Sequence, residues 1–138
     1  MARTTRTLLS TTRRSPCPVA CSLDLLGDRW TLLVVRDLLW GKTRYGEFLT
    51  SPEAIPTNIL AERLTRLEAA GIIQRKPYQQ NPPRHAYTLT PKGAELKAVL
   101  ATLATWGRRH LPDTAVKSPA PAGKPDQPAA PRKPAKRS

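Results

Sequence analysis

The apolar positions along the chain change their period from one stretch to the next. In "GDRWTLLVVRDLLWG" they run almost all the way round a helix, which predicts a buried helix with Asp28 as N-cap and Gly41 as its stop. "RYGEFLTS" predicts a short helix, and "PEAIP" breaks the chain after it. "PTNILAERLTRLEAAG" has proline at its first turn and glycine just past its end, and Leu60, Leu64 and Leu67 share one face. "IIQRKPY" and "RHAYTLT" are short and β-prone, and "QQNPP" between them predicts a hairpin with a proline-stiffened tip. "TPKGAELKAVLATLATWGRRHL" then predicts a helix of about 30 Å, capped by Thr90 with Pro91 in its first turn. Leu96, Val99, Leu100, Leu103, Trp106 and Leu111 form a stripe along it that is too long for a small core to cover.

Composition separates this patterned middle from its ends. The chain has 138 residues and a formal net charge of +13. Residues 1–16 carry +4, residues 17–114 carry +4 and residues 115–138 carry +5. The first stretch combines Arg and Thr with no acid, as organelle transit peptides do, but a mobile basic arm over 1–15 is the preferred reading. A secretory leader is not expected, because the stretch has no apolar run. Residues 115–138 are rich in Pro, Ala and Lys and offer almost nothing to bury, which predicts a disordered tail. One domain is left, over residues 16–114. No apolar run approaches the roughly 18 residues of a membrane span, and two cysteines suit a reducing cytosol. A basic excess of this size favours a polyanionic partner, with the tails supplying general affinity.

Helix, short helix, helix, hairpin, helix is the element order of a winged helix-turn-helix. The expected fold is therefore mainly α with a small β-hairpin wing. The helix before the hairpin would enter the major groove of double-stranded DNA. Three separated motifs occur in order: Cys-Pro before Gly-Asp-Arg-Trp, Leu-x-x-Arg-Leu before a glycine turn, and Tyr-x-Leu-Thr-x-x-Gly. Through them "CPVACSLDLLGDRWTLLVVRDLLWGKTRYGEFL", "IPTNILAERLTRLEAAGIIQR" and "PPRHAYTLTPKGAEL" closely resemble the HxlR family of bacterial transcription regulators, over roughly residues 16–112. The resemblance implies a cytoplasmic, nucleoid-associated homodimer that binds an inverted-repeat operator and regulates a nearby gene, more as repressor than activator. Dimerisation through the terminal helices would use Leu96, Val99, Leu100, Leu103 and Trp106.

With Leu60, Leu64 and Leu67 turned inward, Asn58, Glu62, Thr65 and Ala69 point outward, flanked by Ala61 and Arg66, and Thr57 opens the helix. Asn58 suits adenine, Glu62 suits cytosine N4, and Thr65 or Ala61 suits a thymine methyl. The alternative is an ordinary solvated face, and the family often has a basic residue where Asn58 stands. Lys42, Thr43 and Arg44 precede the short helix, where free backbone N–H groups would favour a phosphate. Arg84 sits on the wing, placed for backbone or minor-groove contact. Arg63 lies nearer the core, where a structural ion pair competes with a phosphate contact. Tyr78 and Tyr87 read as packing within the wing.

Two other classes remain. A non-specific or RNA-associated basic protein fits the charge but lacks the exposed aromatic sheet of single-strand readers. A thiol-dependent enzyme would need bases, and only His85 and His110 are on offer, neither with an obvious partner. Neither histidine forms a common zinc spacing with the cysteines, and no metal or cofactor is expected. Cys17 stands where the family commonly has a cysteine, which in several members senses oxidants or electrophiles. A helix start favours the reactive thiolate, and Arg13, Arg14 and Arg29 are close in sequence. Cys21 departs from that single-cysteine pattern. If "PVACSLDLL" is helical, a Cys17–Cys21 bond would be strained, and packing is the preferred reading of Cys21. Packing also competes with sensing at Cys17.

Overall fold

The computed structural model describes residues 13–115. The basic arm and the Pro/Ala/Lys-rich tail fall outside the described residues, apart from residues 13–15 and 115. In chain order the elements are α1 (Pro18–Leu26), α2 (Thr31–Leu39), α3 (Tyr45–Phe48), α4 (Thr57–Ala69), β1 (Ile73–Gln80), β2 (Pro83–Leu89), α5 (Pro91–Ala94) and α6 (Leu96–His110). This is a winged helix-turn-helix: a small helical body with one antiparallel hairpin.

α2 is the centre of the body. Thr31, Val34, Val35, Asp37 and Leu38 are buried along it, and it packs against α4, β2 and α6. Its start lies two residues later than the pattern predicts, with Trp30 and not Asp28 as N-cap. Asp28 still acts at this end: Oδ2 accepts from the N–H groups of Trp30 at 3.0 Å and Thr31 at 3.2 Å, and Oδ1 accepts from the Thr31 hydroxyl. The carboxylate thus caps the helix from outside its first turn. Phe48, Leu60, Leu67 and Ile73 are fully buried around α2. Each buried side chain of this kind contributes roughly 2 kcal/mol relative to an exposed one.

The corner between α4 and the hairpin explains two glycines of the motifs. Gly71 takes φ of 74°, the left-handed conformation that ends a helix without cost. Thr90 donates its hydroxyl to the Gly71 carbonyl at 2.6 Å and accepts from the Gly93 N–H at 3.1 Å. A Cβ on Gly93 would lie 2.1 Å from the Ile72 carbonyl oxygen, so no other residue fits there without displacing the backbone.

Two expectations need correction. The "QQNPP" loop is shorter than predicted: Gln79, Gln80 and Pro83 belong to the strands, leaving Asn81–Pro82 at the tip. Beyond Ile73 the whole of β1 is exposed, so its ladder needs no apolar side chains and polarity does not mark its end. The helix predicted from Thr90 is divided into α5 and α6 at Glu95, whose φ of −65° and ψ of −20° make a tightened turn. α6 alone is about 22 Å long.

Candidate nucleic-acid interface

α4 is held at its start and at its middle and presents one polar face. At its start the Tyr45 hydroxyl donates to the Thr57 carbonyl at 2.6 Å, tying α3 to the first turn. In its middle the Arg63 Nε donates to Asp28 Oδ2 at 2.7 Å, tying α4 to the start of α2. Leu60, Leu64 and Leu67 are buried, and Thr57, Asn58, Ala61, Glu62, Thr65 and Ala69 are exposed on the opposite side. Some polar atoms of that face are already engaged. The Thr65 hydroxyl donates back to the Ala61 carbonyl at 3.0 Å, and the Glu62 carboxylate pairs with Arg63. Arg66 turns away toward α1, where its guanidinium donates to the Asp24 carbonyl at 2.8 Å.

Asp28 is the electrostatic joint of this arrangement. Burial by itself would raise its pKa. The hydrogen bonds from Thr31, Arg63 and the Trp30 backbone, together with the Arg63 charge, outweigh that and bring it down to about 2. The carboxylate therefore stays ionised and bonded at any neutral or mildly acidic pH. Arg63 takes the structural role that its position toward the core suggests.

The segment before α3 differs from its sequence reading. The N–H groups of Thr43 and Arg44 do face an anion, but it is the chain's own: Glu47 Oε1 accepts from them at 2.9 and 2.8 Å. Burial would push the Glu47 carboxyl up, and these two backbone bonds and the Arg44 charge pull it below its usual value. Lys42 points inward, with Nζ 2.6 Å from the Ser51 hydroxyl oxygen and 3.8 Å from buried Asp37. The expected phosphate clamp of N–H groups and Lys42 is thus already filled from within. Arg44 remains exposed. Its main chain bridges to Ala86 of β2, the Tyr87 N–H donates to the Thr43 carbonyl at 2.7 Å, and its guanidinium carbon lies 4.2 Å from the centroid of the Tyr78 ring. Tyr87 packs edge-on against Phe48, with ring centroids 6.4 Å apart. Arg84 is exposed near the wing tip, opposite Gln79 in the ladder.

At the start of α1, Cys17 is the exposed N-cap, and its N–H donates to the Ser15 hydroxyl at 3.1 Å. Cys21 is half-buried one turn on, with Sγ 3.2 Å from the Ser15 carbonyl. Both thiols are free. Two of the arginines near them in sequence have other partners: Arg14 pairs with Asp24, and Arg29 lies over the Trp30 ring. Val19 and Leu23 of α1 are exposed, as are Val99, Leu103 and Trp106 of α6, while Leu96 and Leu100 pack on the core. Among the described residues, no three His, Cys, Asp or Glu side chains gather as a metal site would require.

Three contacts here escape sequence reading. Tyr45 to Thr57, Asp28 to Arg63 and Tyr78 to Arg44 each join residues 12 or more positions apart. Only the ion pair of Arg63 is foreshadowed, by its position toward the core, and its partner Asp28 is not.

Residues 25–115 match the family model described as HxlR-like helix-turn-helix. An HTH-type transcriptional regulator of Mycobacterium bovis is 40% identical over 94 residues, which are 68% of this chain and 59% of that protein. The chain therefore spans less than two thirds of that relative's length. The redox regulator HypR in its oxidized form superposes with a TM-score of 0.62 at 33% identity, covering 72% of this chain and 100% of that one. The reduced form of the transcriptional regulator YodB from Bacillus subtilis superposes with a TM-score of 0.59 at 32% identity, covering 73% and 100%.

Proposed function

The chain belongs to the HxlR-like helix-turn-helix family, and from that premise we propose that it is a sequence-specific DNA-binding transcription regulator, a repressor that acts in the cytoplasm as a homodimer on an inverted-repeat operator. It is a regulator and not an enzyme. The observation that carries this reading is the exposed face of α4, Thr57, Asn58, Ala61, Glu62 and Thr65, held at its start and its middle, with Arg44 before α3 and Arg84 on the wing also exposed. The face reads bases and the wing and basic ends hold phosphates. The exposed apolar residues of α1 and α6 form the dimer contact, which sets the two α4 helices roughly 34 Å apart, one turn of DNA.

Footprinting on the DNA beside its own gene, followed by titration against operator, unrelated duplex and RNA, tests the proposal. Glu62→Ala and Thr65→Ala are expected to reduce the preference for operator over unrelated duplex, each base contact being worth roughly 1–3 kcal/mol. Equal affinity for RNA and every duplex would replace this reading with that of a general polyanion binder.

Cys17 adds a signal input to the same regulator. Two observations favour it: the thiol is exposed at the start of α1, the helix that also exposes Val19 and Leu23, and the chain is similar to the redox regulator HypR. Oxidation to a sulfenic acid, a mixed disulfide or a bond to the other subunit would alter that helix and the spacing of the DNA-reading helices. Mild peroxide or diamide is expected to change operator binding by wild type and Cys21→Ser but not by Cys17→Ser, with thiol reductant restoring it. Equal, oxidant-insensitive binding by all three proteins removes the sensing role.

A further inference from the structure

The basic side chains of the domain are held in two different ways. Arg14, Arg36, Lys42, Arg63 and Arg75 each lie at ion-pair distance from a carboxylate, which offsets their charge. Arg44 is not among those pairs in the described residues: the Glu47 carboxylate feels its charge but takes the main-chain N–H, and its guanidinium lies over the face of Tyr78 at 4.2 Å. An aromatic face restrains a guanidinium without neutralising it, and the N–H groups at the guanidinium edge stay open to a bidentate acceptor.

The wing is built to put Tyr78 there. In the ladder Pro77 pairs with His85 and the next pair is Gln79 with Arg84, so Tyr78 is the extra residue of a β-bulge. A bulge re-aims the side chain it carries. Tyr78 is 40% exposed and fills no core. The main chain of Arg44 is fixed as well, by the bridge to Ala86 and by its N–H bond to Glu47. The next residue, Tyr45, holds the first turn of α4 through Thr57. Arg44 thus has a fixed position relative to both the wing and the base-reading face.

We propose that Tyr78 is a positioning residue for DNA binding, a platform that holds the Arg44 guanidinium ready to take a backbone phosphate at the edge of the α4 footprint. This rests on the DNA-binding reading above and deepens it. The phosphate is that of a duplex, whose backbone passes both α4 and the wing when α4 lies in the major groove. With the platform in place, the duplex does not have to immobilise a freely rotating arginine on binding. Without it the contact still forms, at a lower affinity.

A double-mutant cycle on a mixed-sequence duplex tests this, because a phosphate contact needs no operator. Arg44→Ala is expected to weaken binding and to flatten the slope of log affinity against log salt by about 0.9, one phosphate's share. Tyr78→Ala is expected to weaken binding about two- to five-fold, the range of an exposed cation–π contact, and to leave the salt slope unchanged. Tyr78→Phe, which keeps the ring face, should bind as wild type does. In the Arg44→Ala background Tyr78→Ala should cost nothing further. A Tyr78→Ala cost that persists without Arg44, a Tyr78→Phe as weak as Tyr78→Ala, or a Tyr78→Ala that binds normally would each overturn the inference alone. A wild-type chain that binds no duplex would overturn the DNA-binding reading along with it.

Discussion

α4 and α6 are the two longest helices of the body, and they treat their apolar faces in opposite ways. α4 buries Leu60, Leu64 and Leu67 and exposes Asn58, Ala61, Glu62 and Thr65. α6 has no buried residue, with Val99, Leu103 and Trp106 about half exposed. The chain's own core fixes α4, so its polar face has a defined position, as base reading needs. Only the Leu96–Leu100 end of α6 is seated on the core, and its remaining apolar surface, at Val99, Leu103 and Trp106, is uncovered in the single chain. One helix is specified from within the domain and turns a polar face to solvent. The other is incomplete by itself.

The difference is sharpest in folding energy. Leu64 is 2% exposed, and Leu64→Ala is expected to cost about 3 kcal/mol in urea unfolding. Leu103 is 53% exposed, and Leu103→Ala under conditions where the chain is monomeric should change stability by less than about 0.5 kcal/mol. Equal costs would break the contrast between the two helices.

Acid tests how α4 is attached. The Asp28 carboxyl titrates at about 2 in the folded chain against 3.8 for the free group. A lowered folded pKa stabilises the fold at pH above 3.8, and that contribution fades as pH falls toward 2. It amounts to about 2 kcal/mol. Asp28→Asn should therefore be less stable than wild type by about that much at pH 6, with the gap closing between pH 4 and pH 2. Unfolding measured across that range checks it, and a gap that stays constant would show that the Arg63 contact does not depend on the carboxylate's charge.

The period of the leucines makes α4 and its exposed face legible from the chain, because burial on one side of a helix leaves a mark every three or four residues. The same signal reveals the stripe on α6. It does not show where basic side chains go. Lys42 and Arg44 stand two positions apart in one polar run, yet one turns in to Ser51 and Asp37 and the other out to Tyr78. Their partners come from distant segments that only the folded chain brings close. The clamp expected before α3 fails for a related reason: Glu47, three residues past Arg44, reaches back to the N–H groups first. The ends of β1 are hidden because an exposed hairpin has no inside to mark. A charge pair such as Asp28 and Arg63, 35 residues apart, has no local pattern at all.

The smallest effect on the fold should carry a large effect on assembly. Leu103 lies midway along the uncovered face of α6, between Val99 and Trp106, and all three are exposed. An aspartate there meets water in the isolated chain, so Leu103→Asp should leave monomer stability within about 0.5 kcal/mol. Against a second chain the same carboxylate would be buried without a partner, which an interface does not tolerate. Sedimentation should then show a dimer for wild type and a monomer for Leu103→Asp, with circular dichroism unchanged. Operator binding should fall too, since a lone chain grips one half-site where the dimer grips two. Arg108→Asp, exposed on the same helix and turned away from Val99, Leu103 and Trp106 by helical spacing, separates loss of the apolar face from a general effect of added negative charge. If Leu103→Asp stayed dimeric, or if both variants dissociated alike, the uncovered stripe of α6 would not be the contact, and the contrast with α4 would reduce to one of exposure.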